Sequence, residues 1–399
     1  MGRSGSLEAL RELNRLRVVD ALRQLGTASR SELAAQTGLS RTTVATLVSD
    51  LQARGLVVED APAAGAPVAG RGRPAGLLRL EPSAGVAVGI HFDHHDLKVA
   101  VADLSATVLA ERTVDADVDN SAAESLDAAA ALVGDVLDDA GIDRGDVIGV
   151  GAAVSGPIAR DGRVGRTAIM PGWAGLNAVE ELSRRLGLHV SVDNDANLGA
   201  LAEVSFGAGR GVADVIYVMV SAGIGAGIVL DGRVHRGVTG HAGELGHVLV
   251  RPDGLVCRCG NRGCLETVAS TDAVLALLRP THGPELTVPG LVELVGDDAV
   301  GARRVVHDAG TEIGRVVAGL CNILSPAAVI VGGPLAEGLQ PGIREALDRY
   351  ALPSVARALD VRAGVLGDRA ELLGALALVI GDTDRLRSAG LAAIHVIET

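Results

Sequence analysis

The chain has 399 residues, 48% of them hydrophobic, which is enough to bury several cores and suggests two or three domains. Its net charge is −13, yet residues 1–80 carry eleven arginines against seven acidic residues, so the remainder is more acidic still. That acidic bulk is excluded as a polyanion binder while the basic N-terminal part is not, and no apolar run is long enough to span a bilayer.

In chain order, Val18, Leu22 and Leu25 recur at helical spacing and predict a first helix with one apolar stripe. SRSELAAQTG predicts a second helix, begun at Ser29 or Ser31 and stopped at Gly38. Ser40 then caps RTTVATLVSDLQARG, where Val44, Leu47, Val48 and Leu51 form an apolar stripe and Arg41, Thr42, Thr43 and Thr46 lie towards the other face. Two short helices joined by a tight glycine-containing turn, the second opening with arginine and hydroxyls, suit a helix-turn-helix reader of the major groove. LVVED and GLLRLEP predict two strands flanking an Ala/Gly/Pro-rich linker at 60–78, so the unit is winged. Arg71 and Arg73 fall at the wing tip, where extended arginines can enter a narrow minor groove. A three-helix bundle used for protein contacts shares the helix count, but element order, wing and local charge favour double-stranded DNA. The candidate DNA contacts are therefore Ser40, Arg41, Thr42, Thr43, Thr46, Arg71 and Arg73, in a DNA-binding domain spanning residues 1–80.

From Val86 the pattern changes. VAVGIHFDHHDLKVAVADLSATVLAE predicts a strand, a turn and an alternating strand, an Ala-rich helix follows, and DVIGVGAAVSGPI predicts a strand entering a Gly-Pro turn. VIYVMVSAGIGAGIVLDGRV opens a second such set. This alternation is α/β, and two related lobes make a cleft. The body is expected over 81–399, with lobes at about 86–200, together with a C-terminal helix, and 201–378. Asp195, ahead of the helical ANLGALAEV, suits a helix N-cap.

The window HAGELGHVLVRPDGLVCRCGNRGCLE, from His241 to Glu266, gathers three of the four cysteines. His247, Cys257, Cys259 and Cys264 make a complete tetrahedral set of thiolate and imidazole donors with no vacancy for water, which points to a closed structural Zn2+ site. The alternatives are free thiols or an oxidised pair. Nothing in the first residues resembles a secretory signal, so the expected compartment is the reducing cytoplasm, where metal binding outranks disulfides. Cys321, alone in an apolar helical stretch, reads as core.

SAGIGAGIVLDGRVHRGVTGHAGELGHVLV followed by CRCGNRGCLE, together with VDNDANLGALAE, resembles the signatures of the ROK family of repressors, open reading frames and sugar kinases, from about Val86 to the C-terminus. A winged helix-turn-helix ahead of such a body is the arrangement of the family's xylose-repressor and N-acetylglucosamine-repressor branch. The resemblance implies an actin-like, hexokinase-like pair of α/β lobes with a sugar held in the cleft. It implies sugar contacts at Asn194, Asp195, Glu244, His247 and Glu266, Asp195 being the base position of the kinases. Carboxylates and an amide suit a polyol, and His247 would serve both metal and sugar through its two ring nitrogens.

The family kinases cradle nucleotide phosphates in a D-x-G-G-T turn after the first strand. Here that turn reads His91-Phe92-Asp93-His94-His95, which fills the phosphate space, removes the glycines and adds a negative charge. No catalytic residue is expected, Asp195 being vestigial. SAGIGAG and VIVGGPLAEG still resemble the second phosphate and adenosine segments, although their glycines equally suit tight turns. The histidine-rich turn is expected to be a solvated polar turn, a second metal site being the alternative. TAIMPGWAGL keeps Pro171, Gly172 and Trp173 but places Ile169 where the kinases often have an asparagine. The sequence thus predicts a sugar-responsive DNA-binding regulator, a repressor by default, taking a sugar or sugar phosphate and acting as a homodimer or homotetramer. A sugar kinase that also binds DNA is the alternative.

Overall fold

The computed structural model describes residues 14–15, 17–19, 21–22, 25–53, 55–60, 76–81, 84–165 and 168–381. Arg71 and Arg73, expected at the wing tip, lie outside the described residues. The head is helical at the described residues 14–15, 17–19, 21–22 and 25, followed by α1 (Arg30–Thr37) and α2 (Arg41–Ala53). Ser29 begins α1 in a reciprocal capping box with Glu32, and Gly38 ends it at φ 68°. The wing is an antiparallel pair, β1 (Val57–Asp60) and β2 (Leu77–Leu80), extended by a bridge from Ala28 to Leu78. Val18, Leu22, Leu33, Val44, Leu47, Val48 and Leu51 close the head's core. Leu25 departs from the expected stripe and is 43% exposed, because the chain turns at Gly26 and carries this last helical residue past the core.

The body contains two five-stranded sheets with the same connectivity. The first runs β5 (Val108–Asp115), β4 (Asp96–Asp103), β3 (Val86–Phe92), β6 (Val147–Val154), β7 (Val190–Asn194) in spatial order. The second runs β10 (Arg233–Val234), β9 (Ile224–Leu230), β8 (Val215–Val220), β11 (Ala328–Gly332), β12 (Asp360–Ala363). In each, the first three strands in sequence form an antiparallel meander, and the last two add in parallel beside the first. Helices of the first set are α3 (Ala122–Ala140) and α4 (Ala178–Leu186), and α5 (Asp195–Phe206) leads on to the second. The second adds α6 (Glu266–Ala269), α7 (Thr271–His282), α8 (Val288–Gly296), α9 (Val300–Leu324), α10 (Ala336–Tyr350) and α11 (Pro353–Ala358).

Strands β3 and β4 read as near-continuous apolar runs because both faces are covered. The α3 helix contributes to the core on one face, and α12 (Ala370–Ile380), from the far end of the chain, packs Leu372, Leu376 and Val379 against Ala87, Ala100 and Ala102 on the other. Among the described residues no helix is long and apolar enough to cross a membrane.

Candidate functional site

The cysteine loop turns back on itself through backbone bonds from Cys257 N to Asn261 O (2.7 Å) and from Gly263 N to Leu255 O (2.8 Å). Gly263, at φ 68°, passes so close to Arg251 that a Cβ would fall 1.6 Å from its carbonyl oxygen, so only glycine fits. His247 arrives from a separate 3-10 turn, Leu245–His247. The ligand atoms of His247, Cys257, Cys259 and Cys264 all lie within 4.8 Å of one another. Cys259 Sγ and Cys264 Sγ are 3.7 Å apart, and Cys257 Sγ is 3.6 Å from His247 Nδ1. A tetrahedral zinc with Zn–S of ~2.3 Å and Zn–N of ~2.05 Å requires S···S of about 3.8 Å and S···N of about 3.6 Å, so the donor set fits. Cys257, Cys259, Cys264 and Cys321 are not paired in disulfides. Cys321 is buried in α9, in the core.

Beside this cluster is a cavity lined by Asn194, Asp195, Glu244, His247 and Glu266 together. The other ring nitrogen of His247, Nε2, is 3.7 Å from Glu244, so the imidazole spans the space between the thiols and the cavity. Asn194 ends β7, caps α5 by accepting from Asn197 N, and donates to Gly156 O and to Asp195. The helix cap is therefore Asn194 rather than Asp195, whose carboxylate takes up the Ala196 amide from the first position inside the helix. Burial pushes the Asp195 carboxyl up to about 6, against hydrogen bonds from Ser155 and the Ala196 amide and the charge of His94.

Several cavity residues were not anticipated. Arg258, between two of the cysteines, forks onto Glu266 at 2.9 and 3.3 Å, so that carboxylate has a cationic partner. His94 lines the cavity and holds Asp119 through Nδ1 at 2.8 Å. Burial lowers the His94 pKa, but the bond to Asp119 and its charge outweigh this and the net shift is upward. The chain spacing gives some warning for Arg258, since a residue between two converging ligands must sit beside them. None exists for Asp119, which is 25 residues from His94.

The turn after β3 is not solvated as expected. His91 and His94 are only 4% and 9% exposed, because Asp119 closes over His94 while His91, inside β3, is covered on both faces of the sheet. His95 alone of the three is exposed, so 91, 93 and 95 do not share one accessible face. Burial holds His91 well down, at about 4, leaving a neutral ring whose Nδ1 lacks a partner. Ile169 and Trp173 are buried, the indole donating to Val118 O at 2.7 Å, and Ile169 presents an apolar wall to the cavity. The adenosine-like glycines have packing reasons of their own: at Gly333, φ 95°, a Cβ would meet Val220 O at 2.0 Å.

In the head, Ser40 accepts from the Thr43 amide at 3.1 Å and shares a 2.8 Å hydroxyl contact with Thr43. Arg41, Thr42 and Thr46 are exposed on α2 and Thr43 is half-buried. These side chains occupy the face of α2 opposite Val44, Leu47, Val48 and Leu51.

Residues 87–382 match the model of the ROK family, and residues 14–61 match that of the IclR helix-turn-helix domain. The xylose repressor of Caldicellulosiruptor bescii is 27% identical over 95% of this chain and 98% of its own. A solved ROK family transcriptional regulator, a homologue of the Escherichia coli Mlc protein, superposes with a TM-score of 0.76 at 26% identity, covering 98% of this chain and 100% of that one. A ROK family glucokinase from Streptomyces griseus, in complex with glucose and AMPPNP, superposes with a TM-score of 0.64 at 29% identity, covering 74% and 99%.

Proposed function

The chain belongs to the ROK family, and we propose that it is a sugar-responsive DNA-binding transcriptional regulator, a repressor relieved by its ligand. Residues 1–80 would serve as the DNA-binding domain and 81–399 as a kinase-derived effector body. The observation that carries the reading is the pairing of a five-residue polyol surface on one cavity with a phosphate turn filled by His91, Asp93 and His94. Likeness over nearly the whole chain to a xylose repressor and to a ROK regulator of known structure supports it. The effector is a sugar or sugar phosphate bound by Asn194, Asp195, Glu244, His247 and Glu266, whose amide, imidazole and carboxylates match hydroxyl donors and acceptors. Zinc is the ion the donor set suits, held by His247, Cys257, Cys259 and Cys264. When bound it braces the loop, while His247 Nε2 faces the sugar and Glu244 and Glu266 accept its hydroxyls.

DNA contact falls to Ser40, Arg41, Thr42, Thr43 and Thr46 on α2, with Arg71 and Arg73 from the wing. In a homodimer or homotetramer, two recognition helices must meet half-sites about 34 Å apart, and ligand acts by its differential affinity for arrangements that do and do not meet them. The test pairs operator titration with a thermal-shift screen against sugars, since a ligand of the native state raises apparent stability. Arg41→Ala should weaken operator binding about tenfold or more and leave ligand-induced stabilisation unchanged.

A second reading, a sugar kinase that also binds DNA, is favoured by Asp195, whose raised pKa near 6 suits a general base. A coupled assay with ATP and a hexose panel decides it: turnover abolished by Asp195→Asn would replace the regulator reading.

A further inference from the structure

The cavity also indicates which class of sugar it takes, an inference that rests on its being the effector site. Three carboxylates line it, from Asp195, Glu244 and Glu266, against three basic side chains, His94, His247 and Arg258. All three are already committed, His247 between Cys257 Sγ at 3.6 Å and Glu244 at 3.7 Å. Arg258 is spread across both oxygens of Glu266, and His94 is held by Asp119 at 2.8 Å. If His94 carries a proton, Asp119 cancels it; if it does not, the cavity is more acidic still. The nearby cations offer no reserve, because Arg236 is bound to Asp193 at 2.6 Å and Lys98 lies between Asp96 and Asp368. A phosphoryl group brings between one and a half and two negative charges and needs donors not already neutralised. A hydroxyl needs only one donor and one acceptor, and with Nδ1 on Asp119 the ring of His94 retains Nε2 for that purpose.

We propose that the effector is an uncharged sugar rather than a sugar phosphate, and that His94 is an added specificity-determining contact, meeting a hydroxyl beside Asp195. A phosphoryl group on that hydroxyl would be set against the Asp195 carboxylate and the His94 ring at once. A ligand hydroxyl at the same place satisfies both.

The experiment is calorimetric titration of the full-length protein with free pentoses, hexoses and N-acetylhexosamines, with their terminal phosphates, and with inorganic phosphate alone. One free sugar should bind at least a hundredfold more tightly than its own phosphate. His94→Gly should weaken that sugar about tenfold and narrow the gap to its phosphate. Asp119→Asn, which leaves the backbone turn intact, should weaken it less. Binding of a phosphorylated sugar as tight as, or tighter than, its parent overturns this inference and leaves the sugar-site reading standing. An unchanged free-sugar affinity in both variants removes His94 from the recognition. Operator binding with no response to any sugar or sugar phosphate overturns the sugar-site reading itself.

Discussion

Glu371 lies near the start of α12, 7% exposed, between α5 and β8, where it accepts a hydrogen bond from Tyr217 Oη at 3.4 Å. Burial pushes its carboxyl up to about 8, opposed by its own backbone amide and Lys98 and reinforced by the charges of Asp195 and Asp93. From an ordinary value of 4.5, this means that the folded chain keeps a proton that the unfolded chain releases as pH rises from 4.5 to 8. The stability contributed by the neutral acid is full below the lower value, is lost through that window and stays lost above it. Glu371→Gln keeps an acceptor for Tyr217 and cannot ionise. It should raise the Tm by about 3 °C at pH 8.5, on the order of 1–2 kcal/mol, with a smaller gain at pH 5.5. Thermal melts at the two pH values check this. An equal difference at both would mean that Glu371 is already ionised in the folded protein.

At the scale of elements, the cysteine loop is the clearest case of sequence specifying shape. The donor set His247, Cys257, Cys259 and Cys264 is read directly from the sequence, and its ligand atoms converge to within 4.8 Å of one another around a turn that only Gly263 can make. Cys257→Ser should lower bound zinc, measured by elemental analysis, and reduce the Tm by about 5 °C or more, because metal binding to a closed site is folding free energy. Sugar affinity should fall with it through His247, and operator affinity of the surviving folded protein should not. A variant that loses zinc yet binds sugar normally would separate the two functions of the loop. The α/β alternation and the stripe on α2 were equally legible, since local periodicity decides both. The turn after β3 was not. His91 and His94 look like solvent-facing residues in sequence, and their burial depends on Asp119 and on helices supplied by distant segments. Leu25 fails in the opposite direction, because a helical spacing continued one turn too far looks the same as one that stops.

For the whole molecule, the arrangement of β3 and β6 offers a physical route between sugar and DNA. They are parallel neighbours, and both start against the head, where Ala84 and Ile148 pack on the cluster formed by Val18, Leu33, Leu51 and Leu78. Both end at the cavity, β3 leading to His94 and β6 to Ser155. Seven to eight residues of strand span about 23–26 Å, and a hydrogen-bonded pair resists bending, so a displacement at the cavity end is carried to the head rather than absorbed. The α12 helix packs against both strands and also against α5, which begins at Asp195, so any shift of α5 when a ligand seats on Asp195 would reach the same pair. Ile148 is half-buried, packs on the head's core at the joint between strand and head, and is itself neither one of the candidate DNA contacts nor a lining residue of the cavity. Ile148→Ala should therefore leave sugar affinity and operator affinity each within about threefold of the parent. The coupling between them, ordinarily about 1–3 kcal/mol in such systems, should fall by at least half. Operator titrations with and without saturating sugar measure this directly. Undiminished coupling in that variant would place the route elsewhere, through the relative position of two subunits rather than through the strands of one.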